Sequence, residues 1–235
     1  MIHGNIRTLA KPLSRATRRQ QEQQNERLSM LKQVSVVVHE VFGTIASEEG
    51  IVQIIKDLRP CLPCGSGALQ VQFLPSVAYT MVSPATLPPV SAFAQRCVVS
   101  SDSRLMMGYM RCASQFQLAV PMPAERLVFS NLPDKCQSNV VEFKTERQGL
   151  FAALHLHLHL ATKMPRGPRW RDGIAQLTSG GSTTNWEDIL VCLARPVDVK
   201  KGATVRIEFH AEYRDQDNRY SVKVLAPKVR KMWAV

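Results

Sequence analysis

The sequence predicts an α/β region followed by an all-β region. Between residues 34 and 77 a β-branched run, a helical pattern and a second strand pattern follow one another, which is typical of α/β folds. After about residue 84, short alternating runs separated by turn signals predict antiparallel strands of a barrel or sandwich. Three prolines in residues 84–90 (PATLPPV) mark the boundary, so we expect one unit over 1–84 and another over 85–235.

The first region contains four predicted elements. Residues 16–33 are rich in Gln, Arg and Glu and predict an exposed helix. Val34–Val38 (VSVVV) predicts a strand that is buried on both faces, as in a parallel sheet. Residues 48–58 have apolar side chains at helical spacing, and residues 69–77 return to a strand pattern after a breaker-rich loop over 59–66.

The second region contains short strands joined by turns. The turns are predicted at residues 198–202 (DVKKG) and 214–218 (RDQDN), whose Asp, Asn and Gly residues favour hairpins. The predicted strands are Cys97–Ser100, Gln115–Val120, Val140–Phe143, Leu150–Leu160, Ile189–Leu193, Thr204–Phe209 and Tyr220–Leu225.

The composition is that of a globular chain. Of its 235 residues 45% are hydrophobic and 21% charged, which excludes a disordered chain. The longest apolar runs, such as residues 189–194, are far shorter than the roughly 18 residues of a membrane span, so we expect no membrane association. Six cysteines are too few for a disulfide scaffold, which indicates a reducing compartment, cytoplasmic or nuclear.

The charge balance is basic, with 30 Lys and Arg against 19 Asp and Glu and a net charge of +11. This favours an acidic partner, either an acidic protein or a nucleic acid. Nucleic acid is the weaker alternative, because no basic cluster is interleaved with aromatic residues. Residues 1–21 contain five basic residues and no acid, so a mitochondrial presequence and a solvated basic segment both remain open.

Two patterns resemble metal sites. His155, His157 and His159 alternate with leucines in residues 154–160 (LHLHLHL) and share one face of a predicted strand. Side chains roughly 6–7 Å apart on one strand cannot enclose an ion alone, so we expect a leucine core face and a half-solvated histidine face. Cys61 and Cys64 form a lone CxxC in a loop, which we interpret as structural, and we assign no metal site.

The strongest functional signal is the segment 39–50 (HEVFGTIASEEG), between a predicted strand and a predicted helix. Glu40 and Glu49 are nine residues apart across a loop that contains Gly43. Two carboxylates brought together in this way form a clamp that fits a planar guanidinium bidentately. The alternative is that Glu48 and Glu49 only cap the helix N-terminus, where acids are favoured.

This segment resembles the double-E hairpin of the protein arginine methyltransferases. In that family a strand ends in Ser-Glu-x-x-Gly, a second Glu follows nine residues after the first, and the two hold the substrate arginine. Glu40, Gly43 and Glu49 match the pattern, while His39 stands where Ser is usual. The resemblance implies that Glu40 and Glu49 are the catalytic residues.

A second similarity lies near the C-terminus. Family members carry a Thr-His-Trp loop, followed by a strand, a Lys-x-Gly turn and another strand. Here Thr184, Asn185 and Trp186 are followed by strands on either side of Lys200-Lys201-Gly202. A loop that keeps Trp but not His is most like the symmetric-dimethylating branch. The resemblance implies that Thr184, Asn185 and Trp186 bind substrate, with Trp186 as a wall of the arginine pocket.

The resemblance also implies a fold, a cofactor and partners. Residues 1–84 would be the C-terminal remnant of a Rossmann-like methyltransferase domain, and residues 85–235 an antiparallel β-barrel for substrate binding and dimerisation. The implied cofactor is S-adenosyl-L-methionine. The implied partners are an arginine-containing protein substrate and a second subunit, in a homo- or hetero-oligomer.

One departure from the family pattern is large. The glycine-rich turn that binds the cofactor, GxGxG, does not occur in the 235 residues, so no cofactor-binding residue is assigned. We therefore expect the chain to lack the N-terminal half of the cofactor domain. Two hypotheses follow: an arginine methyltransferase present as a partial chain or subunit, or an inactive pseudoenzyme that acts as a scaffold or regulatory subunit.

Overall fold

The computed structural model describes a mostly β-sheet protein with few helices. It describes residues 18–63, 71–89, 97–99, 106–110, 113–162, 176–179, 186–215, 217–227 and 233–234. Within these ranges no helix is long and apolar enough to cross a membrane.

Two α-helices lie in the first region, as the sequence predicts. Helix α1 covers Arg18–Leu31 and helix α2 covers Ile51–Leu58. Helix α2 buries Ile51, Ile55 and Leu58 because they recur on one face, and it begins after Gly50, which has φ 76°. A short 3-10 turn over Arg59–Cys61 follows it.

A two-stranded parallel sheet flanks helix α2. Strand β1 (Val36–Val38) pairs with β2 (Gln72–Leu74), with Val36 opposite Gln72 and Val38 opposite Leu74. The prediction that the first strand is buried on both faces is wrong, because Val38 is 76% exposed and only Val37 packs against the core. Among the described residues β1 has one strand partner, so it is not the centre of a parallel sheet.

The largest sheet has seven strands. The strands are β3 (Val77–Ala85), β4 (Cys97–Val99), β5 (Met106–Met110), β6 (Met122–Val128), β8 (Gly149–Ala161), β9 (Gln176–Thr178) and β10 (Asp188–Val199). Their order across the sheet is β4, β5, β10, β8, β3, β6, with β9 paired to β8. All the described neighbours are antiparallel, and the longest strand, β8, lies between β3 and β10.

A four-stranded antiparallel sheet completes the fold, with strands β7 (Cys136–Lys144), β11 (Thr204–Glu212), β12 (Arg219–Ala226) and β13 (Trp233–Ala234) in the order β13, β12, β11, β7. The predicted turn between β10 and β11 is present, with Gly202 at φ 81°. The inner faces of both sheets share one hydrophobic core with helix α2.

Most predicted strands of the second region are confirmed, and one is wrong. Residues 115–120 form the end of a 3-10 turn (Ala113–Phe116) and a single bridge between Gln117 and Ala85, not a strand. The described strands form open paths, and they do not close into a barrel. The antiparallel sheet begins with β3 at Val77. The division at residue 84 and the cofactor-domain remnant stay predictions.

Candidate functional site

The two glutamates of the predicted clamp lie on one loop, between strand β1 and helix α2. Glu40 follows β1 after His39, whose amide donates to the carbonyl of Leu74 (3.0 Å). Glu49 immediately precedes Gly50 and helix α2. Both carboxylates are exposed, and neither has a hydrogen bond or ion pair with another described residue. The loop therefore presents two unengaged acids to solvent.

The third glutamate of the loop has a different place. The Oε2 atom of Glu48 accepts hydrogen bonds from the amides of Thr44 (2.9 Å) and Ile45 (3.3 Å). Its side chain lies across Gly43, where an added Cβ would overlap it. Helix α2 has no side-chain cap. The alternative that Glu48 and Glu49 cap this helix is therefore wrong, because the Glu48 carboxylate bonds the loop instead.

The base of this loop rests on a buried acid, Glu125 of strand β6. Glu125 is 1% exposed. Ser47 Oγ donates to its Oε1 atom and Thr80 Oγ1 to its Oε2 atom, both at 2.6 Å. Thr80 Oγ1 in turn accepts from the amide of Ala46 (2.9 Å). Two consecutive loop residues, Ala46 and Ser47, are thus tied to the seven-stranded sheet.

Two tyrosines and an asparagine complete this cluster, Tyr220 from strand β12, Tyr213 from just after β11 and Asn218 from just before β12. Tyr213 donates to Glu125 Oε1 (3.0 Å), and Tyr220 lies 2.9 Å from Ser47 Oγ. Because the single hydroxyl proton of Ser47 goes to Glu125, Tyr220 is the donor to Ser47. Asn218 donates to the Ser47 carbonyl (2.5 Å). Burial raises the pKa of Glu125, while the hydroxyls of Ser47, Thr80 and Tyr213 act to lower it.

An aromatic cluster packs against the first part of the loop. The rings of His39 and Phe129 meet edge to face with centroids 4.4 Å apart, and Phe42 lies 5.1 Å from His39. Both His39 ring nitrogens are buried. Burial lowers the pKa of His39 to about 4, so this ring is neutral at physiological pH.

The predicted substrate-binding segment reaches the loop through Trp186. The half-buried Trp186 ring meets Phe42 edge-on with centroids 6.5 Å apart. Thr44 Oγ1 also donates to the carbonyl of Glu187 (3.0 Å). Thr184 and Asn185 lie outside the described residues. The structure therefore places Trp186 beside the loop of Glu40 and Glu49, and it leaves the predicted roles of Thr184 and Asn185 as predictions.

The histidine row lies on strand β8, on the face opposite the leucines, but it is buried. His155 Nε2 is 2.8 Å from Asp188 Oδ2, and Gln117 Nε2 is 2.7 Å from His155 Nδ1. Ser179 Oγ donates to the other oxygen of Asp188 (2.7 Å). The expectation of a half-solvated histidine face is wrong, because these side chains cover it.

The other two histidines of the row are buried as well. His157 stacks on His155 with centroids 5.0 Å apart, and its Nδ1 atom has no hydrogen-bond partner in the part of the chain that the structure describes. Burial, reinforced by His155, lowers the pKa of His157 to about 3. His159 contacts Thr178 and Tyr79. In the described part of the chain no group of three His, Cys, Asp or Glu side chains could hold a metal ion.

The CxxC pair is only partly described. Cys61 is half-buried at the end of the 3-10 turn and forms no disulfide. Cys64 lies outside the described residues, so the structural interpretation of this motif stays a prediction.

The described residues do not fit an S-adenosylmethionine site. A nucleotide-type cofactor needs a glycine-rich turn at the end of a strand, where backbone can approach it closely. The one described parallel pair, β1 and β2, carries no such turn. The end of β1 leads to Glu40 and the aromatic cluster instead.

Sequence reasoning missed Glu125 and its partners. Glu125 is a single acid in strand β6 (MPAERLV), and the alternation of polar and apolar residues does not mark it as buried. Its partners Ser47 and Tyr213 lie 78 and 88 residues away along the chain. No local pattern links them, so only the fold reveals the cluster.

Comparison with known proteins shows the fold. No family model matches the chain, and no curated protein is similar to it. It is similar to a chain of the Trypanosoma brucei PRMT1 enzyme–prozyme heterotetrameric complex with AdoHcy, at a TM-score of 0.58 and 12% identity. The match covers 86% of this chain and 67% of that one. The chain has a PRMT-like fold, where PRMT denotes protein arginine methyltransferase.

Proposed function

We propose that this chain is a protein arginine methyltransferase-like protein whose loop 39–50 binds the guanidinium of a substrate arginine. The observation that carries the proposal is the difference in hydrogen bonding among the three glutamates of the loop. Glu48 accepts hydrogen bonds from the amides of Thr44 and Ile45, whereas Glu40 and Glu49 are exposed and bond no other described residue. The PRMT-like fold supports the same assignment.

The chemistry of such a loop suits arginine. A guanidinium has five N–H donors in a rigid plane, and two carboxylates can accept from it at once. These charge-assisted bonds would fix the plane of the group and leave one nitrogen directed away from the acids. Glu40 and Glu49 would thus orient the guanidinium for reaction. Trp186, which packs on Phe42, would form one wall of the arginine pocket.

The finer parts of this proposal concern the complete assembly. Residues 1–84 belong to a Rossmann-like methyltransferase domain, and residues 85–235 form a barrel-like substrate-binding and dimerisation domain. S-adenosyl-L-methionine is the methyl donor, and the described residues of this chain do not supply its glycine-rich binding turn. The chain works as a partial chain or subunit in a homo- or hetero-oligomer, and its arginine site is of the symmetric-dimethylating type.

A second candidate is an inactive pseudoenzyme that acts as a scaffold or regulatory subunit. The misfit between the described residues and the cofactor favours it. The similar T. brucei structure is an enzyme–prozyme complex, which supports pairing with a second chain. A pseudoenzyme of this kind could still bind arginine through Glu40 and Glu49 without methyl transfer.

Calorimetric titration of the full chain with a glycine-rich peptide containing one arginine tests the proposal. We expect Glu40→Gln and Glu49→Gln each to weaken binding by about tenfold, because each removes one charge-assisted contact worth roughly 1.5 kcal/mol. Glu26→Gln, at an exposed position of helix α1, is the matched control and should leave binding unchanged.

Two outcomes separate the candidates. Wild-type affinity in Glu40→Gln and Glu49→Gln would overturn the arginine site. If the site is present and the assembled complex methylates the arginine peptide, the chain is part of an enzyme. The methylation should then be lost in Glu49→Gln. If the assembled complex binds arginine and S-adenosylmethionine but transfers no methyl group, with the wild-type chain or with Glu49→Gln, the chain is a scaffold.

A further inference from the structure

We propose that Glu125, Thr80 and Ser47 form a positioning cluster that sets the orientation of Glu49 for arginine binding. The inference rests on the proposed function and adds to it a group outside the loop. None of the three residues is exposed to substrate, and all are buried. They are therefore positioning residues and not catalytic ones.

The cluster acts on Ala46 and Ser47, the third and second residues before Glu49. The Ala46 amide donates to Thr80 Oγ1, and the Ser47 hydroxyl donates to Glu125. The Ser47 carbonyl accepts from Asn218 and from the Gly50 amide (3.0 Å). Glu49 thus lies two residues after an anchored residue, Ser47, and directly before a residue with left-handed backbone, Gly50. Few backbone conformations remain for it.

Glu125 connects this anchor to both sheets. Its partners come from strand β3 (Thr80), from the residue after β11 (Tyr213) and, through Ser47, from β12 (Tyr220). Hydrogen bonds in a dry interior are strong and directional, and their chains reinforce one another. The orientation of Glu49 therefore depends on the packing of the two sheets and not on the loop alone.

Packing alone would not supply this orientation. Phe42, Ala46 and Ile51 already bury apolar atoms of the loop and of helix α2, and apolar contacts are non-directional. An apolar side chain at position 125 would fill the same volume but remove the acceptor of the Ser47 hydroxyl proton. The hydrogen bonds to Thr80 and Glu125 act together with those that Tyr220 and Asn218 make to Ser47 in defining the rotation of the turn.

A pair of variants at Thr80 tests the cluster. Thr80→Val keeps the shape and removes the hydroxyl, whereas Thr80→Ser keeps the hydroxyl. We expect Thr80→Val to weaken binding of the arginine peptide about tenfold, and Thr80→Ser to stay within about twofold of wild type. Ser138→Ala, an exposed hydroxyl on strand β7, should leave binding unchanged. Wild-type affinity in Thr80→Val would overturn the proposal.

Amide hydrogen exchange at Ala46 separates the cluster from the proposed function. We expect Ala46 to exchange at least tenfold faster in Thr80→Val than in wild type, since its acceptor is gone. Unchanged exchange overturns the anchor, whatever the peptide does. A wild-type chain that does not prefer arginine to lysine overturns the proposed function and the arginine role of the cluster, even where Ala46 exchange responds as expected.

A second variant applies where Thr80→Val does not fold. Tyr213→Phe removes one donor to Glu125 and leaves every contact of the loop itself in place. The proposal then requires about a threefold loss of arginine affinity from this variant. Unchanged affinity in Tyr213→Phe would contradict it.

Discussion

Two buried polar clusters lie on opposite faces of strands β3 and β8. On one face Thr80 joins Glu125 and Ser47, and every oxygen of the Glu125 carboxylate accepts a hydroxyl proton. On the other face His155 pairs with Asp188, but Ser83 Oγ and His157 Nδ1 are buried without a hydrogen-bond partner among the described residues. The first cluster leads to an exposed loop with two unengaged acids.

The difference follows from the alternation of strand residues. Thr80 pairs with Leu158 across the sheet, and Met81 pairs with His157, so successive residues of β3 face different surroundings. The Glu125 cluster ties three chain segments together and ends at the loop that carries Glu49. The histidine cluster stays within its own face. We infer that the first cluster serves binding and the second serves only the packing of the sheet.

The largest expected effect is on the Glu125 side. Glu125→Ala leaves the hydroxyls of Ser47, Thr80 and Tyr213 without their acceptor in the core. We expect the free energy of unfolding to fall by about 3 kcal/mol, measured by urea denaturation. Glu142→Ala, at an exposed position of strand β7, should change it by less than about 0.5 kcal/mol. A loss below 1 kcal/mol in Glu125→Ala would contradict the account.

The buried histidines should make the fold sensitive to acid, since burial lowers the pKa of His157 and His159 on the histidine side and of His39 beside the loop. The pKa of His157 is lowered to about 3 in the folded protein from 6.5. The unfolded chain therefore binds more protons between these values, and stability falls as the pH drops through this range. At pH 5 the loss from His157 is about 2 kcal/mol relative to neutral pH.

His157→Leu checks this assignment. The variant should lose about 2 kcal/mol less than wild type between pH 7.5 and pH 5. At pH 7.5 it should be as stable as wild type or more so, because an unpartnered buried nitrogen is removed. Urea denaturation at both pH values measures the difference, and equal pH dependence in the two proteins would show that another group is responsible.

The sequence allowed part of this comparison to be predicted. Helix α2 and strands β8, β10, β11 and β12 follow from local periodicity, and the positions of Glu40 and Glu49 follow from the loop pattern. The burial of His155 and the exposure of Val38 could not be predicted, because each depends on which strand or side chain lies opposite.

The Glu125 cluster was beyond sequence reasoning for the same reason. Ser47 and Tyr220 are 173 residues apart, and the fold alone places their hydroxyls 2.9 Å from each other. The assignment of Glu48 to the loop amides also needed coordinates, since Glu48 and Glu49 are adjacent acids and equal candidates in sequence.

The smallest expected change in stability is that of Asp188→Asn, which tests whether the histidine cluster acts separately from the Glu125 cluster. Asp188→Asn removes the charge that His155 and Ser179 contact, and we expect a loss of about 1.5 kcal/mol in the free energy of unfolding. The affinity for an arginine peptide should change by less than about twofold, because the Asp188 side chain bonds His155 and Ser179, and the loop contacts only the backbone of the preceding residue, Glu187. Titration of the folded variant checks this, and weakened arginine binding would mean that the two faces are coupled.

The most direct test of the central claim compares arginine with citrulline. The two side chains have nearly the same shape, but citrulline is uncharged and has one donor group fewer. We predict that the full chain binds an arginine peptide at least about tenfold more tightly than its citrulline counterpart, and that the double variant Glu40→Gln, Glu49→Gln binds both equally. Equal binding of the two peptides by the wild-type chain would contradict the claim that Glu40 and Glu49 form a guanidinium site.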